Sequence, residues 1–369
     1  MAEARNLAAK YAKQVDERFN RESQAMLALS SNYDFVGVKT VNIYSIPTVP
    51  MVEYNRDGGN ARYGEAKDLE RNIQTLTVTR DRAFTFVIDK GDKLQSQMVS
   101  DAGKALNRQL KEVWVPEFDA YVFRKLAAVA TDRGNYSTEE ITKDNAYEMF
   151  LNAMEHQGNR NVPDKGRVAF CSYKFANMLK MDPAFVKEGD RSQEMVIKGV
   201  IGEVDGCKIV RVPSSRLPSG CAFILTHKIA ATAPKQLEEY KTHDNPPGIS
   251  GWLVEGRVIY DCFVLNEKAD AIYYHGSQPV LRTLDVVTAD KGDNTNIRVM
   301  VNPEAETGNS FVYKLGTAAT AVTYNADLSS GWTALTQNAV IAKGANKVIT
   351  VAEVNASKKA VAAGHATFA

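Results

Sequence analysis

The feature that most constrains the fold of this 369-residue chain is a helical pattern about forty residues long, over residues 92–131. The recurring apolar positions are Leu94, Met98, Ala102, Leu106, Leu110 and Trp114, followed by Phe118, Val122, Leu126 and Val129. A helix of this length spans about 60 Å, which exceeds the diameter of a small domain. Because the stripe is not a sustained heptad, we predict a strut beside a sheet rather than a coiled coil. Pro116 should kink or break it after Trp114 or Val115.

Residues 1–30 are predicted to form a mostly helical N-terminal arm. Its apolar residues, Leu7, Tyr11, Val15 and Phe19, recur every fourth position and form one narrow stripe. A stripe this narrow cannot build a core alone, so the arm must dock on another surface. The pattern leaves two possibilities open, which are its own domain and a neighbouring subunit.

Residues 35–90 contain two alternating apolar and polar stretches, which predict half-buried strands. Between them lies a polar, glycine-containing excursion, and the Asp-Gly-Gly sequence at 57–59 favours a turn. Loops of about twenty residues are uncommon in compact domains and are often functional. The excursion, residues 52–72, is therefore either a projecting hairpin that contacts another subunit or a plain surface loop.

Residues 139–283 alternate between helical and strand patterns. We predict a helix at 141–156 with Thr138 or Thr142 near its start, a buried strand RVAFCSY, and a helix KFANMLKMD that ends at Asp182-Pro183. An Asp-Gly turn within residues 204–207 predicts a tight hairpin, and further strands are predicted in CAFIL and in WLVEGRVIYDCFVLNEKADAIYYH. This unit is α/β or α+β.

Residues 285–369 differ sharply in composition from the rest of the chain. Only 14 of these 85 residues are charged, compared with 75 of the 284 before them. Short alternating runs are separated by turn residues about every ten positions, which predicts a small all-β sandwich.

The overall charge excludes some classes of function. Lys and Arg total 45 and Asp and Glu total 44, so the net charge is +1. A dedicated nucleic-acid binder would carry a basic excess or a basic block. No stretch approaches the length of an apolar membrane span, and the first residues lack the apolar core of a signal peptide, so we expect no export by that route.

The chemistry-bearing residues show no catalytic or metal-binding motif. The four cysteines, Cys171, Cys207, Cys221 and Cys262, have no C-x-x-C pair and lie among apolar neighbours, which favours small buried side chains over disulfides. The five histidines are scattered, without the spacing of a zinc site. Phosphate-binding glycine motifs are also missing. We therefore expect no enzyme activity, no cofactor and no metal.

Taken in order, these segments resemble the major capsid protein of tailed bacteriophages, with the Hong Kong 97-like fold shared with encapsulins. The spine helix of that family resembles DKGDKLQSQMVSDAGKALNRQLKEVWVPEFDAYVFRKLA, and its axial domain resembles IGEVDGCKIVRVPSSRLPSG and GWLVEGRVIYDCFVLNEKADAIYYH. The resemblance implies an α+β fold with four parts. These are an arm at 1–30, a peripheral domain at 31–138 with loop 51–75 and spine helix 92–131, an axial domain with return strands at 139–283, and an immunoglobulin-like decoration at 285–369.

The same resemblance implies a non-catalytic subunit that self-assembles into hexamers and pentamers of an icosahedral shell around double-stranded phage DNA. The implied partners are other copies of the chain, a portal, scaffold or decoration proteins, and packaged DNA held weakly without sequence preference, with no membrane. Localisation would be the virion, after assembly in the host bacterial cytoplasm. Within the loop, the candidate contact residues are Tyr54, Arg56, Asp57, Arg62 and Glu65.

Two departures from the family pattern are expected. Only about thirty residues precede the first predicted strand, so we expect no long scaffolding segment that is cleaved off. Some family members join a Lys to an Asn of a neighbour; Lys67 lies in the loop, but its partner is not identifiable and we predict no crosslink.

Two alternatives remain at this stage. An encapsulin-type compartment would load a protein cargo instead of a genome. A cytosolic hydrolase with an accessory β-domain would need a nucleophile such as Cys171 or Cys262 paired in space with a histidine.

Overall fold

The structure of the chain is a computed structural model. It describes residues 23–30, 40–45, 48–49, 51–57, 62–64, 72–91, 102–182, 200–204, 206–290, 295–306 and 308–368. Several expectations from the sequence lie outside the described residues. Among them are the apolar stripe of the arm, the first part of the long helix with Leu94 and Met98, the Gly58-Gly59 turn, Glu65 and Lys67.

Four α-helices are described. They are α1 (Ala102–Gln109), α2 (Val115–Asp132), α3 (Ala146–Gly158) and α4 (Tyr173–Met181). A π-helical segment, Leu110–Trp114, joins α1 to α2, and short 3-10 turns lie at Ala25–Ala28, Ser214–Arg216 and Asn266–Ala271.

The strands before the C-terminal region form four sheets. Their bounds are β1 (Leu29–Ser30), β2 (Thr40–Ser45), β3 (Asn72–Thr77), β4 (Arg80–Asp89), β5 (Tyr136–Ser137), β6 (Arg167–Ser172), β7 (Val200–Val204), β8 (Cys207–Val212), β9 (Cys221–His227), β10 (Ala231–Thr232), β11 (Lys235–Asp244), β12 (Gly251–Tyr260), β13 (Phe263–Val264) and β14 (Tyr273–Gly276). The sheet orders are β5-β14-β9-β6-β8-β7, β11-β12-β4, β1-β10-β13 and the hairpin β2-β3.

The predicted long helix is present in its described part as a continuous helical strut from 102 to 132. Pro116 does not break it. Instead, the hydrogen bonding changes from π to α directly after Trp114, and Pro116 occupies the first turn of α2. Proline has no N–H to give to the carbonyl four residues earlier, and its ring crowds that carbonyl, so a widened turn accommodates it without a break.

The six-stranded sheet forms a core on both of its faces. In β6, Val168 and Phe170 belong to the core cluster that includes the buried face of α2, whereas Ala169 and Cys171 belong to the cluster formed with α3 and α4. All six residues of this strand are consequently buried, as the apolar run RVAFCSY predicts. Two-sided coverage by helices explains why the run does not alternate with polar residues.

Helix α3 begins five residues later than predicted. The Asn145 side chain accepts hydrogen bonds from the Thr142 N–H (2.7 Å) and hydroxyl (3.1 Å) and donates to the Glu140 carbonyl (3.1 Å), which holds the preceding segment in a turn. The Tyr147 N–H at the helix start donates to the Asp182 carboxylate at 3.0 Å. The residue that satisfies this helix end is therefore distant in sequence.

The remaining sequence expectations for the central region are confirmed. Helix α4 ends at Met181 with Asp182 as its C-cap, and β7 and β8 form an antiparallel hairpin in which Val204 pairs with Cys207. Gly206 in that turn has a φ of +75°, which favours glycine. The four cysteines, all within the described residues, are buried and form no disulfide.

The three-stranded sheet β11-β12-β4 lies beside the spine helix. Tyr260, in β12, packs against Phe118 of α2 with ring centroids 5.6 Å apart. In the middle of the sheet, the rings of Phe84 and Tyr240 close over Gly256, where a Cβ atom would collide with both. Glycine at this position allows the aromatic rings of the two flanking strands, β4 and β11, to pack together over β12.

The C-terminal region contains eight strands in two sheets. They are β15 (Arg282–Thr283), β16 (Asp285–Asp290), β17 (Asn296–Asn302), β18 (Ser310–Gly316), β19 (Thr333–Leu335), β20 (Val340–Ala342), β21 (Val348–Val354) and β22 (Ala360–Thr367). The orders are β15-β22-β21-β18-β19 and β16-β17-β20. Both sheets contribute to one apolar cluster, with Val299 and Val351 among its fully buried members. The all-β expectation for this region holds in the described residues, and its immunoglobulin-like topology stays a prediction.

A buried carboxylate joins the N-terminal segment to the spine helix. Asp119 in α2 accepts hydrogen bonds from the Ser23 hydroxyl (2.6 Å) and from the N–H groups of Gln24 (3.1 Å) and Ala25 (3.2 Å). Its other contact is with Arg216, whose Nη1 lies 2.7 Å away. Asp119 is fully buried and Arg216 is nearly so. The base of the arm is therefore held on its own subunit.

We expect Asp119→Ala to lower the free energy of unfolding by roughly 3–5 kcal/mol, because it removes the carboxylate of a buried ion pair and an acceptor for three donors. Urea denaturation of the full chain measures this loss, and hydrogen exchange should rise at residues 23–30. The exposed Asp144→Ala serves as the matched control and should change little. Equal losses for the two variants would contradict the assignment.

Candidate subunit-contact surface

The hairpin of β2 and β3 is attached to the body of the protein through one face. The strands pair antiparallel, from Thr40 opposite Thr77 to Ser45 opposite Asn72. On the inner face, Leu76 is buried in a small cluster with Val78 and Leu265. This face supplies the apolar contact that holds the hairpin.

The Gln74 side chain anchors the same face through hydrogen bonds to backbone groups in and just after β13. The Gln74 amide nitrogen donates to the Val264 carbonyl at 2.9 Å, and its oxygen accepts from the Asn266 N–H at 3.0 Å. These two hydrogen bonds connect the hairpin to the β13 segment in place of backbone strand pairing. The base of the hairpin is therefore fixed in position.

A second buried carboxylate, Asp261, holds the segment between β3 and β4 against the spine helix. Asp261 accepts hydrogen bonds from the Thr79 N–H (3.2 Å) and hydroxyl (3.0 Å) and from the Tyr121 hydroxyl (2.6 Å). Burial and the Asp261 charge raise the pKa of Tyr121 above its ordinary value, so this hydroxyl remains a donor. The junction of β3 and β4 is thereby tied to the spine helix.

A partly buried ion-pair network also joins β4 to the spine helix. Arg80 and Arg82 in β4 both donate to the Glu117 carboxylate at 2.8 Å. Partial burial opposes ionisation of Glu117, but the hydrogen bonds from the two arginines outweigh burial and hold its pKa below the ordinary value. Glu117 therefore stays charged and joins the strand to the first turn of α2.

Beyond the paired strands, the loop folds back as a narrow ribbon. The Asn55 N–H donates to the Arg62 carbonyl at 3.1 Å, and the rings of Tyr54 and Tyr63 meet edge to face with centroids 5.0 Å apart. Gly64 has a φ of +83° and lies against Val52. These contacts give the described parts of the loop, 51–57 and 62–64, a defined shape.

The ribbon exposes an unusual amount of apolar side chain. Met51 is 98% exposed and Tyr63 is 85% exposed, and Val52 and Tyr54 are also exposed. On the outer face of the hairpin, the cross-strand neighbours Tyr44 and Ile73 are exposed as well. The four most exposed large apolar side chains among the described residues all belong to this hairpin. Clustered exposure of this kind marks a surface that contacts another molecule.

The structure places four of the five predicted contact residues on this ribbon. Tyr54, Arg56, Asp57 and Arg62 are exposed there, and the Asp57 N–H donates to the Asn55 side chain at 3.0 Å, which shapes the turn. The fifth, Glu65, lies outside the described residues. Their role in contacts stays a prediction.

Sequence reasoning missed the most exposed members of the surface, because it selected charged residues and one tyrosine. Met51, Val52 and Tyr63 are the additional candidates. Large apolar residues inside an otherwise polar excursion were the signal that could have identified them, since such residues have no core to join.

The cysteines proposed for a hydrolase are poorly suited to act as nucleophiles. Burial raises the pKa of Cys171 and of Cys262 to about 12, so both remain protonated at neutral pH. The described residues contain no group of three or more His, Cys, Asp or Glu side chains arranged to hold a metal ion. Within the same residues, none of the helices combines the length and apolar character needed to cross a membrane.

Comparison with known proteins shows similarity in structure but not in sequence. No protein-family model and no curated protein match the chain. A structure from Mycobacterium phage Che8 is 17% identical, with a TM-score of 0.59 over 73% of this chain and 96% of that chain. The capsid structure of cyanophage P-SCSP1u is 12% identical, with a TM-score of 0.57 over 73% and 92%.

The mature capsid of bacteriophage PhiM1 is likewise 12% identical, with a TM-score of 0.56 over 73% of this chain and 91% of that chain. Each match covers more than nine-tenths of the neighbour and leaves about a quarter of this chain outside it. At these identities the comparison concerns the fold. About three-quarters of this chain therefore has a fold similar to that of structures from bacteriophage capsids.

Proposed function

We propose that this chain is the major coat subunit of a tailed phage, assembling as hexamers and pentamers into an icosahedral shell around double-stranded DNA. The observation that carries the proposal is the match of about three-quarters of the chain to more than nine-tenths of chains from phage capsid structures. The role is structural rather than catalytic. The subunit would reside in the virion after assembly in the host cytoplasm.

The projecting hairpin is proposed to join neighbouring subunits. A closed shell requires each chain to present several surfaces, each complementary to a copy of itself. Met51, Tyr54 and Tyr63 would lose water on contact with a neighbour, which favours association through burial of apolar surface. Because Gln74 and Asp261 fix the hairpin base, little conformational entropy is lost when the ribbon binds.

The charged residues of the ribbon are proposed to set the register of that contact. Arg56, Asp57, Arg62 and Glu65 offer both signs of charge next to the apolar side chains. Charged groups at the rim of an interface contribute more to orientation and partner choice than to affinity. The apolar residues would therefore supply binding strength, and these four its geometry.

The domain layout is proposed to follow the Hong Kong 97-like arrangement. The hairpin, spine helix and sheet β11-β12-β4 would form the peripheral domain, and the six-stranded sheet with α3 and α4 the axial domain around the five- and six-fold axes. The sandwich after residue 284 would face outward as an immunoglobulin-like decoration. Portal and scaffold proteins would be further partners.

The near-zero net charge supports a container that holds DNA without gripping it. Affinity for DNA depends mainly on the number of phosphates that basic side chains neutralise. A chain with 45 basic and 44 acidic residues has little excess for that purpose. Copies packed at close range would also repel one another weakly.

Electron microscopy and mass photometry of the purified chain, expressed with and without other phage morphogenesis proteins, test the proposal. We expect megadalton particles with icosahedral symmetry, and nuclease-protected DNA inside particles from infected cells. A small oligomer under every condition would contradict it. Closed particles filled with a protein cargo would instead indicate an encapsulin-type compartment.

Replacing the apolar residues of the ribbon tests the contact surface. We expect Met51→Ser combined with Tyr63→Ser to lower the yield of particles at least tenfold, because both side chains would be buried between subunits. Stability of the unassembled chain should change by less than about 0.5 kcal/mol, since both side chains are exposed in it.

The matched control is Val340→Ser, an exposed apolar residue of the C-terminal sandwich, which should leave the yield of particles unchanged. A shorter loop, with residues 52–64 replaced by a Gly-Ser turn, provides a second measurement. Normal particles from both loop variants would exclude the bridging role while leaving the shell assignment intact.

A further inference from the structure

One arginine joins the spine helix to the C-terminal sandwich by contacting three carboxylates. Arg282, in β15, lies with its Nε 2.8 Å from Asp132, the last residue of α2. Its Nη1 lies 2.7 Å from Glu306 and its Nη2 lies 3.2 Å from Glu353. Asp132 belongs to the capsid-like body, whereas Glu306 and Glu353 belong to the sandwich. We call these four residues the joint cluster.

The joint cluster carries more negative than positive charge, and three of its four side chains are largely removed from water, whereas Glu306 is exposed. Three carboxylates face one guanidinium, and the Glu353 side chain is fully buried. Within the described residues, Arg282 Nε and Glu353 Oε2 have ion-pair neighbours but no hydrogen bond of good geometry. Charges buried with incomplete hydrogen bonding compensate their desolvation poorly.

Hydrogen bonds hold the Glu353 side chain in place, so it cannot rotate away to relieve the repulsion among the three carboxylates. Its Oε1 accepts hydrogen bonds from the Glu306 N–H at 3.0 Å and from the Asn309 side chain at 2.7 Å. These contacts lie inside the sandwich and keep the carboxylate directed toward Arg282. Relief must come from protonation or from separation of the sandwich from the helix.

Asp132 is the carboxylate of the joint cluster that takes up the proton. Burial, with the charges of Glu306 and Glu353, raises the pKa of its carboxyl to about 7, while Arg282 and its sequence neighbour Arg133 oppose the rise. The phenol of Tyr324, from the sandwich, also faces Asp132. The ordinary pKa of 3.8 would return once Asp132 became exposed to water.

The rest of the joint leaves room for movement. A cleft of about 220 Å³ separates the spine helix from the sandwich, with Arg124 and Pro218 on one side and Val322 and Tyr324 on the other. The connecting segment is attached to the helix through the Val280 N–H, which donates to the Thr131 hydroxyl at 3.2 Å. Detachment beyond this point would break the joint cluster and little apolar packing.

We propose that the joint cluster is a proton-controlled attachment, which holds the C-terminal sandwich against the spine helix in mildly acidic solution and releases it as the pH rises to neutrality. The sign follows from linkage. A carboxyl that binds its proton more tightly when attached stabilises attachment below its ordinary pKa. That stability is lost progressively as pH rises from about 4 to about 7, and above that range attachment no longer changes with the protonation of Asp132.

Fluorescence energy transfer in the full-length chain tests this proposal. Dyes are placed on Lys111→Cys in the π-helical segment and on Val340→Cys in the sandwich, since the four native cysteines are buried. We expect the ratio of detached to attached molecules to rise about a hundredfold between pH 5 and pH 8. A ratio independent of pH would overturn the proposal.

Variants separate the joint cluster from other titrating groups. Asp132→Asn should remain attached at pH 8 with a flat profile, and the exposed Asp285→Asn, as matched control, should retain the original profile. Glu306→Gln, whose side chain is 63% exposed and therefore compatible with folding, should move the midpoint down by a few tenths of a pH unit. An unchanged profile in both Asp132→Asn and Glu306→Gln would refute the assignment.

Discussion

The fully buried carboxylate of Asp119 is the interaction on which the arrangement of the chain depends. It lies in the middle of the spine helix and joins the N-terminal segment, the helix and the Ser214–Arg216 turn at a single point. A charge in that environment is stable only when all its partners are present. Three parts of the chain separated by nearly a hundred residues each are therefore held in one geometry. A second carboxylate, Asp261, does the same for the hairpin and the sheet beside it.

This rigid interior fixes the base of the exposed hairpin. A loop with Met51 and Tyr63 in water would be a liability on a flexible segment, because exposed apolar groups promote unspecific association. On a fixed base it becomes a shaped surface that only a complementary neighbour can cover. The same reasoning supports a structural role. Burial raises the pKa of the Cys171 and Cys262 thiols and holds both protonated at neutral pH.

The C-terminal sandwich is a different kind of element. Its core is its own, with Val299 and Val351 fully buried, and it contacts the spine helix through charged groups around Arg282 rather than through a continuous apolar interface. Attachment of this type responds to conditions in solution far more than a packed core does. Release of the proposed attachment would let the sandwich change position while the rest of the chain keeps its fold.

The sequence alone determined those helices and strands in which the same kind of burial repeats along the element. The four-residue periodicity of Phe118, Val122 and Leu126 and the apolar run of β6 reflect burial that every residue of the element shares, so pattern and structure agree. The start of α3 was misplaced because Asp182, distant in sequence, satisfies its first turn. Pro116 was expected to kink or break a helix that a π-helical turn keeps continuous. The apolar ribbon and the joint cluster were decided by tertiary structure, since exposure and the meeting of Asp132 with Arg282 and Glu353 exist only once distant segments are folded together.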